Sequence, residues 1–314
     1  MSIDTIPRPL DARDETSTPV SGDATPRSRR IRLDDGGVGR PTLLGTIVAG
    51  YVPLLLATLI IALPLVWMVI GSFKTSGEVL SQHVVLLPHH LSFDAYRRAS
   101  AQVDFGRLFL NSTIVTVIGS VVKVCLAITT AYALVFVRFP AKRWIFMGIL
   151  VALMVPSQVS LLPNYVLIAG MGGVNTYWGI ILPGLGTAFG TFLLRQHFLS
   201  LPTEILEAAE IDGAGHLTRM LRMVVPISTP TIATVALVTI VTEWNDYIWP
   251  LIITNDDARM TLPVGLTLLK NVEGDPSSYP ILMAGAIVVI VPVLVVFAFL
   301  QRYIVAGLTQ GAVK

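Results

Sequence analysis

Between two apolar runs lies the polar segment Glu207–Pro226, which reads EAAEIDGAGHLTRMLRMVVP. Its pattern is helical, and Asp212-Gly213 interrupts it at a point where glycine accepts the positive φ of a helix C-cap. The runs on either side, Tyr177–Leu194 and Ile232–Ile253, approach the ~20 apolar residues that a helix needs to cross a bilayer. A helix pair in place of a short loop between two spans indicates a surface presented to a partner outside the bilayer.

The composition extends this interpretation to the whole chain. Its 314 residues are 53% hydrophobic and 13% charged, with a mean hydropathy of +0.71, which is too apolar for an ordinary soluble domain. Helices buried in a large soluble protein are the alternative, but they rarely stay apolar on all sides so often. The sequence therefore predicts an all-α membrane protein with six transmembrane helices. The other four runs are roughly Leu43–Gly71, Phe109–Val137, Trp144–Leu162 and Ile281–Leu300.

The ends of the chain and its charges predict an orientation. Residues 1–40 are rich in Pro, Ser, Thr, Asp and Arg, so we expect a disordered tail there and a six-span membrane domain over 41–314. With the N-terminus in the cytoplasm, fifteen of the 22 Lys and Arg residues fall inside and six outside, and Lys123 lies within a span. The positive-inside rule then places both termini and the segment 200–226 in the cytoplasm.

The segment 200–226 is predicted to contain two short helices. The first is expected to begin within Ser200–Glu204, where a hydroxyl residue precedes an early proline and an acid lies in the first turn. Ala208 and Ala209 predict a face that another protein can approach closely, with Glu207 and Glu210 beside it.

The second helix is predicted to end at Pro226 and to carry one apolar stripe, with Arg219 and Arg222 off that stripe. The stripe consists of Leu217, Met220, Leu221 and Val224. An amphipathic connector that lies on the membrane without a partner is the alternative.

Patterns that would support catalysis or metal binding are absent from the sequence. No Gly-x-x-x-x-Gly-Lys-Ser/Thr stretch occurs, so a P-loop cannot hold ATP here and the energy must come from another polypeptide. No nucleophile elbow occurs either. His83, His89 and His90 lack a Cys or carboxylate at metal-ligand spacing and are interpreted as solvated loop residues. The single Cys125, in mid-span, is expected to be a small packing residue.

Polar side chains at membrane depth are the candidates for a solute path, because a charge in hydrocarbon costs at least ~2.5–3.5 kcal/mol. These residues are Lys123, Gln158, Glu243, Asn245 and Asp246. Trp244, Tyr247 and Trp249 alternate with the last three, and aromatic faces beside hydrogen-bonding groups suit sugar rings. An interfacial aromatic belt is an equal alternative for the aromatic residues. For Lys123, an intramolecular partner that fixes helix packing is favoured.

Proline and glycine residues are expected to bend or loosen the third and fourth spans around a cavity. They are Pro156, Pro163, Pro183, Gly184, Gly186 and Gly190.

Six motifs that follow one another along residues 43–314 resemble the second permease of ATP-binding-cassette carbohydrate importers, of the maltose and glycerol-3-phosphate type. They are Arg138–Arg143, Leu153–Pro156, Phe192–Gln196, EAAEIDGA at Glu207–Ala214 with Val225-Pro226, Glu243–Pro250 and Gln301–Lys314. Asn111-Ser112, followed by Lys123, and the Phe192–Gln196 run resemble the glycerol-3-phosphate branch most.

The resemblance implies a type I importer permease fold with a cytoplasmic coupling loop, in a bacterial inner membrane. It implies a sibling permease, two ATP-binding subunits that hold ATP and Mg²⁺, and an extracytoplasmic solute-binding protein, with lipid around the spans and no nucleic acid partner. The solute would be a sugar or sugar-like compound, including glycerol-3-phosphate or a glycerophosphodiester. The coupling residues it implies are Glu207, Ala208, Ala209, Asp212, Gly213, Arg219 and Pro226.

A self-sufficient secondary carrier, or a membrane enzyme for a small polar molecule, is the alternative function. A secondary carrier usually shows an internal repeat of its spans and has no use for a docking loop. Co-purification of an ATPase subunit would discriminate between the two classes.

Overall fold

The computed structural model describes residues 50–79, 81, 85–269 and 278–310, and its regular elements in these ranges are all helical. The predicted tail, residues 1–40, and His83 lie outside the described residues. The chain divides into two compact units, 1–58 and 59–314; the described part of the first unit is the beginning of the first helix.

Fifteen α-helices follow one another along the described chain, with short 3₁₀ and π turns between some of them. They are α1 Val52–Ser72, α2 Ser76–Val79, α3 Asp94–Gln102, α4 Phe105–Phe136, α5 Lys142–Met154, α6 Leu161–Gly170, α7 Tyr177–Ile181, α8 Ala188–Leu199, α9 Thr203–Ile211, α10 His216–Arg219, α11 Val225–Ile227, α12 Thr229–Trp244, α13 Ile248–Ile253, α14 Leu262–Leu268 and α15 Tyr279–Gln310. The 3₁₀ turns are Ser157–Ser160 and Leu182–Leu185, and the π turn is Met220–Val224.

Three continuous helices are long and apolar enough to cross a membrane: α1, α4 and the Tyr279–Phe299 part of α15. Three further spans are bent pairs of helices, by 93° in residues 142–170, by 46° in residues 177–199 and by 83° in residues 216–244. With each pair counted as one span, the described chain has six, which is the number that the sequence predicts, although the last pair begins at His216, within the segment that the charges place in the cytoplasm.

Two of the breaks have a local cause in the sequence. At the end of α5, Val155 is extended, with ψ of 119°, because a residue that precedes proline is disfavoured in the α region. Pro156 is extended as well, with ψ of 130°. In the fourth span, the backbone leaves the helical region at Gly186, with ψ of 104°. The expected loosening of both spans by proline and glycine is confirmed at these positions.

The predicted fifth span, Ile232–Ile253, does not form one continuous helix, so this prediction is wrong. Helix α12 ends at Trp244, and α13 begins only at Ile248. Asn245 ends α12, since its backbone N–H donates to the carbonyls of Val241 and Glu243 and its side-chain amide donates to Val241 O at 2.7 Å. Asparagine favours such local hydrogen bonds over continuing a helix.

Helix α4 is the centre of the packing, with α8 and α12 against it and α15 against α12. Small residues allow the close approach: Ala127 and Ala131 are fully buried, and a Cβ on Gly190 would lie 3.2 Å from Ala127 Cβ and 3.1 Å from Val235. The close packing expected at Gly190 is therefore confirmed. This core holds the segment 203–227 at one end of α4, because Leu206, Met220 and Val224 belong to the same buried cluster.

Candidate solute cavity and coupling segment

A cavity of about 330 Å³ lies where three irregular stretches meet beside α4: the Pro156 break, the 3₁₀ turn Leu182–Leu185 and the link between α12 and α13. Irregular backbone at membrane depth is tolerated where it lines a cavity. The wall is lined by Lys123, Ser157, Gln158, Ser160, Leu161, Asn164, Ile180, Pro183, Gly184, Thr242, Glu243, Asp246, Ile248 and Trp249.

One ion pair crosses the cavity wall. Lys123 Nζ on α4 donates to Glu243 Oε1 on α12, and the two side chains are only 13% and 12% exposed. Two glycines make room for the pair, since a Cβ on Gly119 would lie 2.9 Å from Glu243 Oε2 and a Cβ on Gly184 would lie 3.0 Å from Lys123 Nζ. The intramolecular partner favoured for Lys123 is confirmed.

Uncharged polar groups line another side of the cavity. Gln158 is exposed and Asn164 is half-buried, and neither side chain hydrogen-bonds another residue in the described part of the chain. Ser157, Ser160 and Asn164 follow Pro156 at a spacing of three and four residues, so they share one helical face. These three residues were not predicted from the sequence, although their spacing is visible in it.

Four of the seven predicted path residues come together in the cavity: Lys123, Gln158, Glu243 and Asp246. The other three, Trp244, Asn245 and Tyr247, do not line it. Asn245 caps α12 instead, and Tyr247 is half-buried at the start of α13.

Trp244 faces away from the cavity, which corrects the expectation that it lies beside the acids. Its indole N–H donates to Val289 O on α15 at 3.0 Å, and its ring meets Phe109 edge to face at 5.6 Å. Successive helical residues differ by about 100° in direction, so the residue after Glu243 turns toward α15. Trp249 does line the cavity, and its indole N–H donates to Gly179 O and Ile180 O at 3.2 and 3.0 Å.

Asn111 and Ser112, which carried part of the resemblance, are structural. Both are buried; the Asn111 amide donates to Ala258 O and Met260 O, and Ser112 Oγ accepts from Leu262 N–H at 2.7 Å. They hold the loop before α14 against α4, and neither lines the cavity.

Glu78 holds the backbone at His89. Its carboxylate accepts from the backbone N–H of Thr75 at 2.9 Å and of His89 at 2.8 Å, and these hydrogen bonds lower the pKa of Glu78. Among the described residues, no three His, Cys, Asp or Glu side chains are grouped so as to hold a metal ion.

The predicted coupling segment, residues 203–227, begins with helix α9, and this helix ends as the sequence predicts. Gly213 has φ of +80°, Gly213 N–H donates to Glu210 O, and Ala214 N–H donates to Ala209 O. These two bonds form a Schellman C-cap, which requires a left-handed residue. The helix begins at Thr203, within the predicted stretch Ser200–Glu204, and Glu204 lies in its first turn. Ser200 does not cap it, because Ser200 Oγ donates to His197 O at the end of α8.

The two alanines of α9 point in different directions, which corrects the expected alanine face. Ala209 is 3% exposed and lies inward with Leu206, whereas Ala208 and Glu207 are exposed. Ile205 and Ile211 are also exposed, at 42% and 87%, so the outer face is more apolar than predicted.

The predicted stripe of the second helix is only half correct. Met220 and Val224 are buried, but Leu217 and Leu221 are 65% and 53% exposed. Arg219 lies on the buried side, where Nη1 donates to Glu210 Oε2 at 2.7 Å. This ion pair and the π turn Met220–Val224 set a register that an ideal 3.6-residue period does not predict.

Pro226 does not end the second helix, which corrects that expectation. Helical geometry continues to Ile227, and the 83° bend into α12 follows at Ser228. The wider π turn immediately before Pro226 accommodates a residue that has no N–H to donate.

A groove of about 520 Å³ separates α9 from the end of α4. Tyr132 and Arg138 line one side, and Glu207, Glu210 and Arg219 line the other. His216 bridges them, with Nδ1 3.3 Å from Tyr132 Oη and 3.4 Å from Arg219 Nη2. The coupling segment is thereby connected to the helix that carries Lys123.

Comparison with known proteins identifies one family. Residues 123–310 match the family model described as binding-protein-dependent transport system inner membrane component. The sn-glycerol-3-phosphate transport system permease protein UgpE of Brucella suis is 34% identical over 268 residues, which covers 83% of this chain and 95% of that protein. The arabinooligosaccharides transport system permease protein AraQ of Halalkalibacterium halodurans is 32% identical, covering 80% and 90%.

A solved structure shares the fold. It is a chain of a bacterial ABC transporter involved in the import of the acidic polysaccharide alginate, with a TM-score of 0.72 and 24% identity, covering 82% of this chain and 95% of that one. A second structure, with a TM-score of 0.50 and 16% identity, is the alginate transporter in complex with a periplasmic protein bound to an alginate pentasaccharide.

Proposed function

Because the chain belongs to the family of binding-protein-dependent transport system inner membrane components, we propose that the cavity around Lys123 and Glu243 is its share of the solute path. The chain is a permease subunit of an ATP-binding-cassette importer, a multi-pass inner-membrane transport component rather than an enzyme. Its solute is a sugar or a sugar-like compound.

The observation that carries this proposal is the cavity itself. Hydroxyl and amide groups from the third span, which is broken at Pro156, line the cavity together with charged groups from α4 and the end of α12. Trp249 supplies an aromatic wall. Sites for small solutes combine an apolar surface with a few convergent polar groups. Ionisable residues within spans mark solute paths when they face an interior cavity.

The exposed face of the segment 203–227 supports an ATPase subunit as its partner. Ile205, Ile211, Leu217 and Leu221 leave apolar surface in an otherwise polar segment, and apolar patches with polar rims mark protein interfaces. In this proposal the segment is cytoplasmic, as are both termini, and ATP and Mg²⁺ bind to the ATPase pair. A sibling permease completes the cavity, and a solute-binding protein delivers the solute from the other side of the membrane.

The test replaces Gln158 and Asn164 with leucine in the complete importer, reconstituted with its binding protein. Uptake of a labelled arabino-oligosaccharide and of sn-glycerol-3-phosphate is measured in parallel, because the relatives' names indicate both. We expect uptake to fall about tenfold or more, because both substitutions remove a polar group that is free to hydrogen-bond the solute. Val159→Leu is the matched control, since Val159 is 68% exposed and does not line the cavity. Full uptake in the double variant, at normal abundance, would contradict the proposed path.

A further inference from the structure

We propose that Glu243 and Asp246 make this cavity selective for uncharged solutes, so that it excludes phosphate- and carboxylate-bearing ones. The inference rests on the proposed solute path and adds the class of solute that the path admits.

The charges of the cavity carry the argument. Among the described residues that line it, Lys123, Glu243 and Asp246 are the charged ones. One ammonium therefore faces two carboxylates, and the other polar groups, such as Gln158, Asn164 and Thr242, are neutral. An anion that enters the cavity comes close to both carboxylates, and like charges beside protein repel each other more strongly than they do in bulk water.

The single cation is not available to a solute. Lys123 Nζ is committed to Glu243 Oε1, and both side chains are almost fully buried. Gly119 and Gly184 enclose the pair so closely that a methyl group at either position would press on it. A phosphate would have to displace Glu243 from Lys123 and leave that carboxylate buried and unpaired, which is unfavourable.

Asp246 adds to the exclusion. It lies within electrostatic reach of both Glu243 and Lys123, and it places a second carboxylate on the cavity wall. The neutral amides and hydroxyls remain, and they match sugar hydroxyls as donors and acceptors.

The relatives' names do not decide between the two solute classes. UgpE is named for an anion and AraQ for oligosaccharides, at 34% and 32% identity to this chain. The charge of the cavity favours the uncharged class for this chain.

The experiment measures equilibrium binding to the assembled importer in nanodiscs, with sn-glycerol-3-phosphate and an arabino-oligosaccharide as probes. In the unmodified importer we expect the oligosaccharide to bind and sn-glycerol-3-phosphate to bind at least about tenfold more weakly. Asp246→Asn removes one acid and leaves the Lys123–Glu243 pair in place. It should strengthen the binding of sn-glycerol-3-phosphate and so reduce the ratio of the two dissociation constants, anion over oligosaccharide. Asp257→Asn, the same change at an exposed position outside the cavity, should leave the ratio unchanged.

Tighter binding of sn-glycerol-3-phosphate than of the oligosaccharide in the unmodified importer would overturn the selectivity. If the ratio of the two dissociation constants is the same in the fully assembled Asp246→Asn variant and in the unmodified importer, the proposed selectivity is overturned as well. These outcomes are separate from failure of the solute path. If uptake is insensitive to Gln158 and Asn164, the path is wrong; if uptake depends on them and the solute is an anion, only the selectivity is wrong.

Discussion

Two ion pairs differ in a way that separates the two proposed functional regions of the chain. In the cavity, Lys123 and Glu243 are 13% and 12% exposed and join α4 to α12 across 120 positions of sequence. In the coupling segment, Arg219 is 11% exposed but its partner Glu210 is 68% exposed, and the two lie nine residues apart. The first pair fixes two spans and leaves neither charge to solvent. The second joins the two short helices α9 and α10 and keeps a carboxylate on the surface, where a partner can meet it.

Breaking the buried pair is expected to have the largest effect. Glu243→Leu should lower the free energy of unfolding by about 3–5 kcal/mol, because it leaves a buried ammonium without its counter-charge. The measurement is the thermal unfolding of the assembled importer, together with its abundance in the membrane.

The double variant Lys123→Met with Glu243→Leu is the matched control for charge. It should recover most of the lost stability, because a well-packed apolar pair often replaces a buried ion pair at little cost. An equally large loss in the single and double variants would show that side-chain packing, rather than charge, explains the effect.

The coupling segment is expected to depend more on its backbone than on its ion pair. Gly213→Val places a side chain at φ of +80°, which costs about 1–2 kcal/mol for an ordinary residue and more for a β-branched one. The C-cap of α9 should open, and both solute-stimulated ATP hydrolysis and uptake should be lost from a chain that still inserts.

Gly215→Val is the control in the same loop. Gly215 has φ of −70°, and a Cβ there would meet no atom within 4 Å. We expect Gly215→Val to keep most of its uptake. If both valine variants lose uptake to the same extent, the left-handed conformation of Gly213 does not explain the loss.

The sequence was a good guide to the elements that a local pattern determines. Six apolar runs predicted the spans, Asp212-Gly213 predicted the end of α9, and polar residues at membrane depth predicted four cavity residues. Each of these depends on length, on glycine chemistry or on the cost of a charge in lipid.

The sequence was a poor guide to the direction in which individual side chains point and to the point where α12 ends. A span that is apolar on all sides has no pattern that indicates which face lies inward, so Trp244 could not be assigned to α15. The run 232–253 concealed the end of α12, since Asn245-Asp246 lie between apolar residues. The inward position of Arg219 depends on a π turn and on Glu210, and neither follows from a helical period.

The smallest effect is expected for the partly exposed ion pair between Glu210 and Arg219. Glu210→Gln removes the solvent-facing partner of Arg219, and partly exposed pairs contribute at most about 1 kcal/mol. Association of the ATPase subunit with the permease should therefore weaken by less than about fivefold at low salt. The difference should disappear near 0.5 M salt, because screening acts on exposed charges within a few ångströms there. Glu204→Gln removes an acid from the first turn of the same helix, where no ion pair with a described residue is present, and serves as the control. A loss that persists at high salt would mean that Glu210 acts through the buried Arg219, and the two ion pairs would then both be structural.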